Sequence, residues 1–136
     1  MIFREMTQED IDFVKDHSAS RGIFNKMPQQ IEFCYALEHE DKILAIGGIT
    51  LINLTTAWCW LDMTCYAGNH IIVVYRVVKE WLNKLAEDKK LKRLQCYVEP
   101  DFPEAIRMVK HLGFKYEYPM PSFIGDKPAL MFARII

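Results

Sequence analysis

Long apolar runs are missing from this chain. No stretch approaches the ~20 consecutive apolar residues of a membrane span, and the opening MIFREMTQED carries acids where a signal peptide would have its apolar core. The expectation is a cytoplasmic protein. An excess of either charge is also missing: the net charge is −1, which excludes a global attraction to nucleic acid or to an anionic membrane. Paired cysteines are absent too. Cys34, Cys59, Cys65 and Cys96 are scattered with no C-x-x-C spacing, so neither a zinc site nor a redox motif is indicated. Three of them lie in strand-like runs, where a free thiol behaves as a small buried hydrophobe. His17, His39, His70 and His111 lack the spacing of ligands on one helix face, and no metal is expected. No internal repeat or low-complexity tract interrupts the pattern.

What is present is ordinary globular material. The 136 residues suit a single domain, 1–136, and 51% are apolar against 26% charged. After a short extended start, Thr7 can cap a helix over Gln8–His17. Asp10 stands where a capping-box acid belongs, and Met6 can staple onto Ile11. Residues 18–28, with Gly22 and Pro28, read as an irregular connector.

From Ile31 the pattern alternates, with Ile31, Phe33, Tyr35 and Leu37 on one side and Glu32, Cys34, Ala36 and Glu38 on the other. A polar turn at 39–42 leads into residues 43–52, a strand covered on both faces. Gly47 and Gly48 within it signal a bulge or a close backbone approach. Residues 53–56 turn the chain into a third strand, 57–64.

After CYAGNH comes the clearest helix. Ile71, Val74, Tyr75, Val78, Trp81, Leu82 and Leu85 share one face, opposite Arg76, Lys79, Glu80, Asn83, Lys84 and Glu87. A strand at 94–98 completes a parallel crossover. Asp101 can cap a further helix with Pro103 in its first turn and Glu104 completing a box, and Gly113 ends it with Phe114 packing back. A proline-rich segment, 119–128, precedes a last apolar strand, 129–136. The basic run 89–93 follows two acids at a helix C-terminus, where cations are favourable in any case, and no nucleic-acid motif stands behind it.

This order, taken with residues 98–114, VEPDFPEAIRMVKHLGF, resembles the GCN5-related N-acetyltransferase (GNAT) superfamily. Ala105, Ile106, Leu112, Gly113 and Phe114 match the family's strand-to-helix segment, and the likeness covers essentially the whole chain. It implies an α/β (α+β) fold, a GNAT-like mixed central sheet of six to seven strands with helices on both faces. It also implies acetyl-CoA as cosubstrate at the carboxyl ends of the two parallel strands. The pantetheine arm would meet the backbone at Leu61 and Met63. The pyrophosphate would meet the amides of Gly68, Asn69, His70, Ile71 and Ile72 at the helix N-terminus, held by the helix dipole without a cationic side chain.

The family's loop, Gln/Arg-x-x-Gly-x-Gly/Ala, keeps only Gly68 here; Cys65 and His70 stand at its ends. Val109 stands where the family often has the tyrosine that protonates the leaving thiolate. Transfer to an amine needs a base, and Asp62 is the first candidate with Glu99 the second; Tyr66 or Tyr97 can replace the missing acid. The plain alternatives are a solvated strand-end carboxylate for Asp62, packing for the tyrosines, and a ring in solvent for His70. Trp58, Trp60 and Trp81 suggest an aromatic wall, or else core. The implied partners are a small-molecule or protein amine, with no nucleic acid, no membrane and a possible homodimer. The other function class is a non-catalytic relative: the eroded loop and the helix opening HIIVVYR are similar to GNAT-like proteins of tailed phages, some of them virion or head-assembly components.

Overall fold

The computed structural model describes residues 1–19 and 32–136. The elements are β1 (Ile2–Glu5), α1 (Gln8–His17), β2 (Glu32–His39), β3 (Lys42–Asn53), β4 (Thr56–Met63), a 3-10 helix (Cys65–His70), α2 (Ile71–Asp88), β5 (Arg93–Val98), α3 (Pro103–His111), β6 (Lys115–Ile124) and β7 (Lys127–Ile135). Seven strands form one mixed sheet in the order β1-β2-β3-β4-β5-β7-β6. The connector expected over 18–28 lies outside the described residues from position 20 onward, as does Ile31 at the expected start of β2. Among the described residues no helix is long and apolar enough to cross a membrane. The chain divides into two compact units, Met1–Thr50 with Cys59–Arg76, and Leu51–Trp58 with Val77–Ile136.

In the first unit α1 begins where its sequence says. Thr7 accepts the Asp10 amide at 3.4 Å, and the Asp10 carboxylate accepts the Thr7 amide at 2.8 Å, closing the capping box. Asp10 is only 4% exposed, and the Arg4 guanidinium grips both its oxygens at 2.7 and 2.9 Å. That hydrogen bonding, outweighing desolvation, holds the carboxyl below the usual range. Val14, Ala36, Ile43 and Ile46 form a buried cluster with Met6, Phe13 and Trp60 packed on it.

The hairpin β2–β3 closes through Glu40 (φ 50) and Asp41 (φ 63), both left-handed, with His39 paired to Lys42. Two positive φ values in a two-residue loop match the twist of the flanking strands. The expected alternation of β2 fails at Phe33 (φ 47), where the register slips between Glu32↔Ile49 and Cys34↔Gly48. This bulge puts Phe33 out of phase with Tyr35 and leaves it exposed. Beside it Gly48 has no room for a side chain, since a Cβ would lie 2.8 Å from Cys34 Sγ, while a Cβ on Gly47 would lie 3.0 Å from the Trp60 carbonyl on β4. Strand β3 is buried on both faces from Ile43 to Ile49, but Leu51 and Ile52 are exposed, so full cover ends sooner than the sequence suggests.

In the second unit β4 and β5 run parallel, with Thr56↔Arg93, Ala57↔Leu94 and Trp58↔Gln95 in register. This is the expected crossover through α2, whose predicted apolar and polar faces are respectively covered and exposed. Helix α3 corrects a prediction: its N-cap is Phe102, with no side-chain cap, rather than Asp101. Pro103 at the first helical position fixes where the helix starts, and the residue before it has no oxygen to offer. At the other end Gly113 (φ 94) lets its amide bond Lys110 O and the Phe114 amide bond Val109 O, both at 3.0 Å, a Schellman closure. The proline-rich segment is also corrected, since Pro119 and Pro121 lie within β6 and Pro128 within β7. Strand β6 is at the sheet edge, where a missing amide costs no ladder bond.

Candidate functional site

The carboxyl half of β4 is organised by its alternation. The Thr64 amide donates to Leu44 O at 2.9 Å and its hydroxyl to Ile43 O at 2.6 Å, so Thr64 is turned toward β3. Backbone groups of successive strand residues point to opposite edges, which turns Met63 and Leu61 to the other edge. In the second unit, Thr55 O accepts Lys92 N (2.8 Å) and Arg93 N (3.1 Å). The Met63 carbonyl is engaged by the chain itself, accepting the Ala19 amide at 2.8 Å beside an antiparallel bridge between Ser18 and Thr64. Of the two expected backbone anchors, Leu61 keeps the simpler presentation.

Asp62 is 1% exposed, so the solvated strand-end alternative is wrong. Ser18 Oγ donates to it, lying 2.9 Å from Oδ1 and 3.0 Å from Oδ2. Tyr66 is half-buried, its ring 5.6 Å from that of His17 and 5.9 Å from that of Phe13, with Lys42 Nζ 5.2 Å from its centroid. His17 Nδ1 in turn donates to Phe13 O at 2.8 Å. The end of α1 therefore gathers two candidates, His17 against Tyr66 and Ser18 on Asp62.

The stretch Cys65–His70 was expected as an open strand-to-helix turn and is a 3-10 helix that runs directly into α2. Thr64 caps it: its hydroxyl accepts the Tyr66 amide (3.3 Å) and its carbonyl the Ala67 amide (3.1 Å). In such a helix an amide bonds three residues back, so Gly68, Asn69 and His70 sit within a wound segment rather than a bare loop. Gly68 and Asn69 are exposed, and a Cβ on Gly68 would meet nothing within 4 Å, which leaves room for a ligand group. The His70 ring is not in solvent. It is half-buried, edge-on to His39 with centroids 4.7 Å apart. Ile71 is the first residue of α2 and half-buried.

Sequence reasoning missed His39 and Lys42. They flank the hairpin turn with Glu40 and Asp41 between them, and Lys42, its Nζ 5.2 Å from the Tyr66 centroid, brings one cation to the 3-10 helix from another strand pair.

In the second unit Glu99 lies just past β5, half-buried, its carbonyl accepting the Phe102 amide at 3.1 Å. Tyr97 packs against Phe123 (4.8 Å) and Trp58 (5.8 Å), and burial pushes its phenol up to about 12. Trp58 belongs to this cluster, Trp60 to the first unit's core with its Nε1 buried and unpartnered, and Trp81 to α2. Burial also pushes the thiols of Cys34 and Cys96 up, to about 11 and about 12, which suits inert packing. Among the described residues no three His, Cys, Asp or Glu side chains are grouped to hold a metal.

No family model and no curated protein matches the sequence. Solved structures do. The ribosomal-protein-S18-alanine N-acetyltransferase of Escherichia coli superposes with a TM-score of 0.73 at 15% identity, over 99% of this chain and 93% of that one. A variant of the spermidine N-acetyltransferase of Vibrio cholerae gives 0.74 at 12%, over 99% and 95%. A GNAT family acetyltransferase from Elizabethkingia anophelis with acetyl-CoA bound gives 0.75 at 11%, over 99% and 97%. The chain therefore has the fold of the GCN5-related N-acetyltransferases.

Proposed function

We propose that this protein moves an acetyl group from acetyl-CoA to an amine. The observation that carries the proposal is a carboxylate, Asp62, 1% exposed on β4 and one residue beyond the outward-turned backbone of Leu61. A buried acid beside a backbone edge that can dock an amide chain is what amine acylation requires. The residues fit the cosubstrate: Leu61 and the Met63 amide would hold its arm, the space above Gly68 would admit a phosphate near Asn69, His70 and Ile71, and Lys42 brings charge. Bound acetyl-CoA would supply the activated acyl thioester. Asp62 would take the proton of the acceptor amine, and Tyr66 would protonate the leaving thiolate. Structural neighbours named as acetyltransferases of a ribosomal-protein alanine and of spermidine support a primary amine, on a protein or a polyamine, as the acceptor class.

The test is cofactor binding. Acetyl-CoA at about 100 times its Kd stabilises the folded state by about 2.7 kcal/mol, a melting temperature rise of roughly 10 °C. No shift at millimolar acetyl-CoA would favour a non-catalytic scaffold, for instance a phage virion or head-assembly component. One observation favours that second reading: Leu54 is 91% exposed at the β3–β4 turn, and Ile52, Ile135 and Ile136 are exposed as well, an apolar surface suited to protein contact.

A further inference from the structure

At the β3–β4 turn the second unit holds an apolar side chain out on a fixed support. Asn53 Oδ1 accepts the Thr55 amide at 3.0 Å and the Thr55 hydroxyl at 3.4 Å, while the Thr55 carbonyl accepts the Lys92 and Arg93 amides at 2.8 and 3.1 Å. Leu54, enclosed by the bond from Asn53 to Thr55, is 91% exposed. Ile52, just before the turn, is exposed as well, and the register Thr56↔Arg93↔Ile135 leads across the sheet to a third exposed apolar residue. A tip already ordered by its own hydrogen bonds gives up little freedom when it is covered.

The charges beside this tip are of both signs. Helix α2 ends in Glu87 and Asp88, both exposed, and Lys90 and Lys92 follow, exposed too; Lys89 between them is half-buried and Arg93 is held by Glu117. Lys90 (φ 55) makes the turn that delivers Lys92 to Thr55, its amide bonding Glu87 O at 3.2 Å. Two acids against two lysines leave the rim without net charge, so an anionic membrane or a uniformly acidic partner gains nothing from it. A rim of the same make-up can pair sign with sign. A second copy related by a twofold axis supplies one, because whatever residue one copy offers the other returns.

We infer that this end of the second unit is a self-association surface, on which Leu54 of each copy is covered by the other and the acids at 87 and 88 of one copy face Lys90 and Lys92 of the other. No residue of it belongs to the proposed chemistry, so it holds for a catalytic and a non-catalytic protein alike.

The experiment is sedimentation velocity of the full chain at about 1 to 100 µM. It compares the wild type with Leu54→Ser and with two charge-reversed forms, one carrying Lys90→Glu and Lys92→Glu, the other Glu87→Lys and Asp88→Lys. The wild type should pass from monomer to dimer across that range, and Leu54→Ser should raise the dissociation constant at least about tenfold with an unchanged circular dichroism spectrum. Each charge-reversed form should associate at least about tenfold more weakly by itself, since like charges then meet across the axis, and an equimolar mixture of the two should dimerise again. Adding Leu54→Ser to both should abolish that recovery. Folding damage in the variants would not be repaired by mixing. A wild type that stays monomeric throughout overturns the inference, as does a dimer that Leu54→Ser leaves intact or a mixture that fails to recover. A monomeric wild type that sediments with phosphatidylserine vesicles also overturns it and gives the surface to a membrane.

Discussion

The two ends of α1 each meet a buried carboxylate, and they hold it by different means. At the start, Asp10 is gripped by the Arg4 guanidinium and tied into the Thr7 capping box. Past the end, Asp62 receives the Ser18 hydroxyl across both oxygens. A guanidinium is permanently charged and only donates, so it locks Asp10 as an anion. A hydroxyl is neutral and both donates and accepts. Arg4 gives Asp10 a cationic partner and Ser18 gives Asp62 a neutral one, although both acids are almost fully covered.

Substitution of each acid tests this contrast. The largest effect is expected for Asp62→Asn, which keeps the shape and removes the base: thiol release from acetyl-CoA should drop about 10²–10⁴-fold, with acetyl-CoA affinity little changed by calorimetry. If release were unaffected in a working assay, Asp62 would not be the base. Asp10→Asn should do the reverse, lowering stability by about 1–3 kcal/mol in urea denaturation while kcat per folded molecule stays near wild type.

Acid should expose the same difference. The Asp10 carboxyl is held low chiefly by the Arg4 hydrogen bonds, so its contribution is fully present above the unfolded value of about 4. That contribution is lost as pH falls through the lower folded value. Wild-type stability should therefore decline more steeply below pH ~4 than that of Asp10→Asn, and parallel curves would show that the pair does not govern the acid limb. Smallest is Thr7→Ala, expected to cost about 1 kcal/mol through loss of the cap, again without a kinetic signature.

The legible parts of this molecule were those written in neighbouring residues. Thr7 and Asp10 lie three apart and the box they predict is present; α1 spans the predicted Gln8–His17, and Gly113 closes α3 as its place implies. The order of elements along the chain and the α2 faces followed from periodicity, and the acetyltransferase-like fold from their succession. What escaped depends on contacts between distant residues. Ser18 and Asp62 are 44 positions apart, and no local pattern announces their bond. The bulge at Phe33 accompanies a pairing across strands, Cys34 against Gly48, that no local pattern shows. Asp101 and Phe102 were confused because capping chemistry names a good residue but not the position, which Pro103 decides. Cys65–His70 looked like a loop because a lone glycine reads as a turn, whereas Thr64 starts a helix there.

The outermost strand carries a last implication. Pro119 and Pro121 remove two amide donors from β6, and the positive φ at Ser122 (53°) bends what remains. A second molecule offering a strand there would find a broken row of partners. At the opposite border β1 is only four residues long. Copies of this protein are thus poorly equipped to lengthen one another's sheet edge to edge.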